Sequence, residues 1–256
     1  MLSLTANYHT HTWRCKHAFG EDREYVEAAI AAGIRILGFS DHMPWWVDTP
    51  GLDHSRMDFE TLEDYFTSLN ALKQEYAGQI EIHIGFEAEY YEELMPRQLE
   101  ELRRHSCEYL ILGQHFGGYG KGAFYFGRPF SEPEMLETYV RQITDGIRSG
   151  LFLYVAHPDL PCFQGEERVL RSAYERILLA AKEADLPLEI NLLGVLQKRN
   201  YPSELFFRMA EENGNRCIIG LDAHAPAQFQ FGPQLARALE LAGNMQMEQS
   251  LTLKPF

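Results

Sequence analysis

Seven short, β-rich apolar runs alternate with seven longer helical patterns along this chain, and that alternation leaves few folds open. Strands are predicted at Thr5–His9, Arg35–Ser40, Glu81–Phe86, Tyr109–Gly113, Phe152–Ala156, Leu188–Asn191 and Arg216–Leu221. Helices are predicted at Asp22–Ala32, Glu60–Tyr76, Glu93–Arg104, Pro133–Arg148, Glu167–Ala184, Ser203–Asn213 and Pro233–Leu241. Gly33 stands where the first helix needs a C-terminal cap, Pro133 suits a first helical turn, and Glu212-Asn213-Gly214 is a second stop. Regular β–α alternation implies parallel strands, because a parallel pair needs a crossover that a helix supplies.

Two architectures satisfy this order: a barrel related to the eightfold one but with one unit fewer, and an open doubly wound sheet. The chemistry at the strand ends separates them. Seven of the ten histidines sit at or just beyond the C-terminal end of a predicted strand. They are His9, His11, His17, His42, His115, His157 and His224, joined in the same way by Glu87 and Asp222. An open sheet would gather such groups at one switch point, whereas a barrel spreads them around a ring. The expected fold is therefore an α/β, TIM-like barrel of seven units, and residues 1–256 read as a single domain.

His9 and His11 are two apart on a strand end, so both side chains face one side, and Asp222 and His224 repeat that spacing. Neutral imidazoles and carboxylates are ligands of Zn, Mn and Fe. A polar, solvated strand end would explain either pair alone. It would not explain the same residue types after five separate strands.

A formal charge of −14 disfavours a nucleic-acid partner, since the chain would repel a phosphate backbone. It leaves room for a small phosphorylated substrate, because bound cations would dominate the local field. Cys15, Cys107, Cys162 and Cys217 form no C-x-x-C pair, which fits a reducing cytoplasm. Cys107 and Cys217 read as small core residues, and Cys15 and Cys162 lie in loops near the histidines. No signal-peptide pattern opens the chain and no apolar run is long enough to span a bilayer, so no membrane association is expected.

These residues carry a resemblance to the PHP (polymerase and histidinol phosphatase) superfamily, and within it to the histidinol-phosphate phosphatase branch. The matching pieces are H-T-H at His9 and His11, His17, S-D-H ending at His42, G-x-E at Glu87, the single His115 and His157, and D-x-H at Asp222 and His224. The resemblance covers essentially the whole chain and implies a distorted (β/α)7 barrel of PHP type holding three divalent transition-metal ions (Zn, Mn or Fe). It implies one ion on His9, His11, Glu87 and Asp222, a second on Glu87, His115 and His157, and a third on His17, His42 and His224.

The implied activity is phosphomonoester hydrolysis, with L-histidinol phosphate as substrate and histidine biosynthesis as the setting. Two cations bridged by Glu87 would share a water and lower its pKa, giving a bridging hydroxide that attacks phosphorus. Asp41 and His42 are candidates to protonate the leaving alcohol, and Asp41 is equally read as a carboxylate orienting a ligand histidine. Lys198 and Arg199 resemble a basic patch that family members use for phosphate, and Arg128 in the Gly-rich loop from Gly117 to Ser131 is a further candidate. Arg14 and Lys16, between the first ligands, are others. Asp41, Glu89 and Asp159 are candidates for histidinol's amine. His54, His83 and His105 match no ligand position. Trp45 and Trp46 are expected to line the pocket or to cap the barrel.

One departure stands out. Family members commonly carry basic residues directly after a His-x-Asp-Leu stretch, but here Leu160 runs into Pro161-Cys162-Phe163. The alternatives that stay open are a phosphatase or phosphodiesterase for another small phosphate such as a nucleotide, and a metal-binding module without turnover. An amidohydrolase also opens with H-x-H, but Glu87 stands where its bridging lysine would be.

Overall fold

The computed structural model describes residues 4–45, 55–105, 107–120 and 122–253; Trp46 and His54 lie outside the described residues. The strands are β1 (Ala6–Asn7), β2 (Ile36–His42), β3 (Glu81–Ala88), β4 (Tyr109–Leu112), β5 (Leu188–Asn191), β6 (Arg216–Gly220) and β7 (Gln246–Glu248). The helices are α1 (Asp22–Ala31), α2 (Leu62–Glu75), α3 (Met95–Arg103), α4 (Pro133–Ser149), α5 (Glu167–Glu183), α6 (Leu192–Gln197), α7 (Glu204–Asn213) and α8 (Gly232–Ala242).

All the named pairings are parallel. They run β1-β2-β3-β4 in one arc and β5-β6-β7 in another. The predicted strand at Phe152–Ala156 narrows to one residue, Val155, which bridges Leu112 on one side and Leu188 on the other. Its neighbours still make ladder hydrogen bonds, Leu153 N to Leu110 O and Ala156 N to Leu112 O. The two arcs are thereby joined. On the far side Thr10 bridges Ala223, with His11 N donating to Ala223 O at 2.9 Å and Ala223 N to His9 O at 3.2 Å. The result is a distorted, curled parallel barrel.

That last seam explains the distortion. The lower part of β6 pairs with β7, Arg216 to Gln246 through Ile218 to Glu248, and only the extension past Gly220 reaches β1. β7 was not expected from the sequence, being three residues long and mostly polar, Gln246-Met247-Glu248. Neither was α6, which follows β5 at once because Asn191 caps it, its side chain accepting from Gly194 N at 2.9 Å.

The core lies between the strands and the helices outside them. Buried strand residues Leu37, Phe39, Ile82, Ile84, Leu110 and Ile190 pack with helix residues such as Tyr65, Leu69, Ile143 and Ile177. The helices bury one stripe each: Leu136, Tyr139, Val140, Ile143 and Ile147 recur along α4 at three- and four-residue steps. The α1 cap works as expected, with Gly33 at φ +81° letting the chain turn back so that Ile34 N reaches Ala29 O. Cys217 is a buried core residue, while Cys107 is only partly buried. No helix among the described residues is long and apolar enough to cross a membrane.

Candidate metal centre

Parallel strands aim their C-terminal ends one way, and every residue named above at a strand end converges there. Glu87, on β3, is the centre of the cluster. Its Oε1 lies 2.7 Å from His157 Nε2 and 3.4 Å from His115 Nε2. Its Oε2 lies 3.0 Å from His42 Nδ1, 3.5 Å from His9 Nε2 and 3.6 Å from His11 Nε2. Asp222, past the end of β6, lies 3.1 Å from His11 Nε2, 3.5 Å from His9 Nε2 and 3.3 Å from His224 Nδ1. His224 and His17 meet Nε2 to Nε2 at 3.0 Å. His157 and Asp222 both sit at positive φ, 29° and 52°, conformations that bulky residues keep only when their surroundings hold them.

The donor chemistry fits divalent cations. His9 Nδ1 is engaged by Glu189 Oε1 at 2.7 Å and His11 Nδ1 by Asp41 Oδ1 at 3.4 Å. A donating Nδ1–H leaves a lone pair on Nε2, and those two Nε2 atoms face carboxylate oxygens, which are also lone-pair donors. His9 Nε2, His11 Nε2 and Glu87 Oε2 are buried without a hydrogen bond. Lone pair against lone pair is repulsive until a cation lies between. Without a cation, a proton would take its place: burial opposes charge on His9, yet Glu189, Asp222 and Glu87 outweigh it and push the imidazole up to about 10. The cluster thus has the field of a cation site. Ligand atoms fall in close groups: His9, Glu87 and His157; His9, His11 and Asp222; His11, His42 and His224. Cys15 joins His17 and His224 in another, although burial pushes its thiol up to about 11.

Above this floor lies a cavity of about 410 Å³ whose wall includes His17, His42, His115, Asp222 and His224. Arg199, Arg128, Arg56, Tyr125 and Tyr201 complete much of it. Arg199 donates to the Tyr201 hydroxyl and to Gln197 Oε1. Tyr125 belongs to the Gly-rich loop, which folds back on itself through a Phe116–Tyr125 bridge and packs Phe124, Phe126 and Phe130 together.

Several expected residues lie elsewhere. Asp41 is fully buried and outside the cavity wall, accepting from Thr12 N at 3.2 Å and His42 N at 2.8 Å as well as facing His11. Its contacts are with the His11 ring, with Thr12 and with the backbone of His42. Lys198 is not in the cavity wall; it caps α6 in the left-handed region, φ 54°. Arg14 is buried and clamped by Asp22 and Asp64, and Lys16 pairs with Asp58 at 2.7 Å. Glu89 is held by Arg56 at 2.9 Å and by the Trp45 indole N–H at 3.1 Å, and also approaches His115 Nδ1 at 3.4 Å. Asp159 accepts from Ser203 N. None of the three carboxylates expected to take an amine therefore reaches the cavity. Trp45 is buried under Arg56 and beside Tyr91 and Phe116, against the pocket's edge. His83 stacks on Tyr8 and His105 on Phe66, both away from the cluster.

Sequence reasoning missed Glu189, Arg56, Tyr125 and Tyr201. Only Glu189 carried a signal: a carboxylate inside the apolar strand Leu188-Glu189-Ile190 must have buried partners.

A parallel barrel with imidazoles and carboxylates ringed at its C-terminal face defines a divalent-metal site of the hydrolase kind. The chain belongs to the PHP family: the PHP domain model matches residues 7–192. A relative from Deinococcus radiodurans, described as a probable histidinol-phosphatase, is 30% identical over 247 residues, spanning 92% of this chain and 93% of that protein. A probable phosphatase of a Thermoanaerobacter species is 25% identical over 255 residues, 98% of this chain and 91% of the relative. Among solved structures, the Lactococcus lactis histidinol phosphate phosphatase, complexed with zinc, L-histidinol and phosphate, superposes with a TM-score of 0.73 at 18% identity. That match covers 98% of this chain and 100% of the other.

Proposed function

We propose that this chain is a metal-dependent phosphomonoesterase that hydrolyses L-histidinol phosphate to L-histidinol and phosphate. His9, His11, His17, His42, Glu87, His115, His157, Asp222 and His224 would hold three divalent cations. The carrying observation is the buried floor of unpartnered imidazole nitrogens facing Glu87 and Asp222. The Deinococcus relative, similar along nearly the whole chain, supports the substrate.

When bound, the cations supply charge neutralisation at the phosphoryl oxygens and acidify a water. The chain's own residues do the rest. Arg199 and Arg128 stand on the cavity wall, where guanidinium forks bind a phosphoryl group in a fixed orientation. Asp41, Glu189 and Glu89 each back one imidazole and hold its ring in place. Tyr125, Phe116 and Leu193 exclude water from part of the wall.

One observation favours a second reading, a different small phosphate ester such as a nucleotide. Among the described residues, the cavity wall carries Arg56, Arg128 and Arg199, and its only carboxylate is Asp222. No other wall carboxylate among them is placed to receive histidinol's ammonium.

The test is phosphate release from L-histidinol phosphate, a nucleoside monophosphate and an aryl phosphate by metal-replete protein, each also with Asp222→Asn and His9→Asn. Selective turnover of L-histidinol phosphate, lost by at least ~10³-fold in both variants, supports the proposal. A preference for the nucleotide moves the substrate to the second reading. Full activity in both variants refutes the site.

A further inference from the structure

β5 contributes none of the nine residues, yet it holds the group that ties three of them together. Glu189 is fully buried at 0% exposure. Its Oε1 takes His9 Nδ1 at 2.7 Å and lies 3.4 Å from the Tyr154 hydroxyl. Its Oε2 accepts from His157 N at 3.0 Å and from Asn191 Nδ2 at 2.9 Å. That same Asn191 amide donates to Asp222 Oδ2 at 3.1 Å. The neighbouring strand leaves room for this carboxylate: a Cβ on Gly220 would stand 1.8 Å from Glu189 Oε1.

We propose that Glu189 is a positioning residue of the metal centre, setting the donor geometry of His9, His157 and Asp222 without coordinating a cation itself. The inference rests on the reading of the cluster as a metal site. The argument is one of cost and direction. A buried carboxylate with no lysine or arginine among its hydrogen-bond partners is expensive to keep. Apart from the Tyr154 hydroxyl, its partners belong to, or hold, cluster residues. Accepting from His9 Nδ1–H fixes the tautomer whose Nε2 lone pair faces Glu87 and Asp222. Accepting from His157 N–H holds a residue at φ 29°, a conformation the backbone would otherwise leave. A glutamine at 189 would turn an NH₂ toward one of these two donors.

The test uses the full chain stripped of metal and titrated with Co²⁺ against a chelator. The readouts are the affinity and the visible spectrum of the cobalt-loaded protein, with the thermal midpoint measured alongside. Glu189→Gln and Gly220→Ala are expected to weaken Co²⁺ binding about 10- to 100-fold and to change the spectrum. Glu189→Asp keeps the charge and should recover part of both. Ile190→Val, buried in the same strand, should lower the thermal midpoint and leave cobalt binding intact. Wild-type affinity and spectrum in Glu189→Gln overturn the inference. So does an equal loss of affinity in Ile190→Val, which would mark the effect as one of stability. Failure of the wild-type chain to bind Co²⁺ would instead overturn the metal reading beneath it.

Discussion

Gly113 is not among the glycines at positive φ, so left-handed backbone is not what calls for glycine there. The demand comes from Glu87: a Cβ at 113 would lie 1.9 Å from Glu87 Oε1 and 2.5 Å from its Cδ. Gly113 on one side and Gly220 on the other are hollows that let two carboxylates lie flat inside a packed barrel. Gly113→Ala should therefore displace Glu87 while the chain still folds. The expected outcome is a loss of turnover of about 10²-fold or more with bound metal reduced, read by phosphate release and elemental analysis on one sample. At this scale the sequence was informative about residue types and silent about partners. The H-x-H and D-x-H spacings put side chains on one face by geometry alone. That Asp41 faces His11 while Lys198 stays out of the cavity wall depends on loop conformations no local pattern encodes.

Elements are tied by charged residues at their ends. Glu108, just ahead of β4, accepts from Ile84 N on β3 at 2.8 Å, pairs with Lys73 of α2 at 2.7 Å, and approaches His83 at 3.4 Å. Partial burial opposes its charge, but His83, Lys73 and the Ile84 N–H outweigh it and hold its carboxyl at about 2. A depressed carboxylate stabilises the fold above the unfolded-state value, near 4.5, and loses that contribution as pH falls from there toward about 2. Glu108→Gln should cost about 1–2 kcal/mol at pH 7, less than the shift alone suggests because the side chain is partly exposed. The gap from wild type in urea midpoints should narrow as pH drops below about 4.5. A gap constant from pH 7 to pH 3 would rule out this account. The long elements were readable because amphipathic stripes persist over many residues, as along α4 and α5. β7 and α6 were not, since three- and six-residue elements owe their existence to neighbours rather than to their own pattern.

The whole molecule is a ring with two weak joints. One is the single bridging residue Val155 between β4 and β5, and the other is the Thr10–Ala223 bridge. Both lie beside the cluster, next to His157 and among His9, His11, Asp222 and His224. Cations held there would fasten the ring where its hydrogen bonding is thinnest. Chelation should lower the thermal midpoint, and added Zn²⁺ or Mn²⁺ should raise it with concentration, each site stabilising the fold by about 2.7 kcal/mol at a hundredfold excess over Kd. A midpoint indifferent to chelator and metal would separate the cluster from stability.

By itself the sequence determined the order of the long helices and of most strands, their parallel sense, and the set of imidazoles and carboxylates at one end. These follow from local periodicity and from the rule that parallel strands share a direction. Only the tertiary structure decided which carboxylate stands behind which imidazole, where the arginines meet the cavity, and how the ring closes. Glu189 and His9 are 180 residues apart in the chain, and what brings them to 2.7 Å is the closure of the barrel around them.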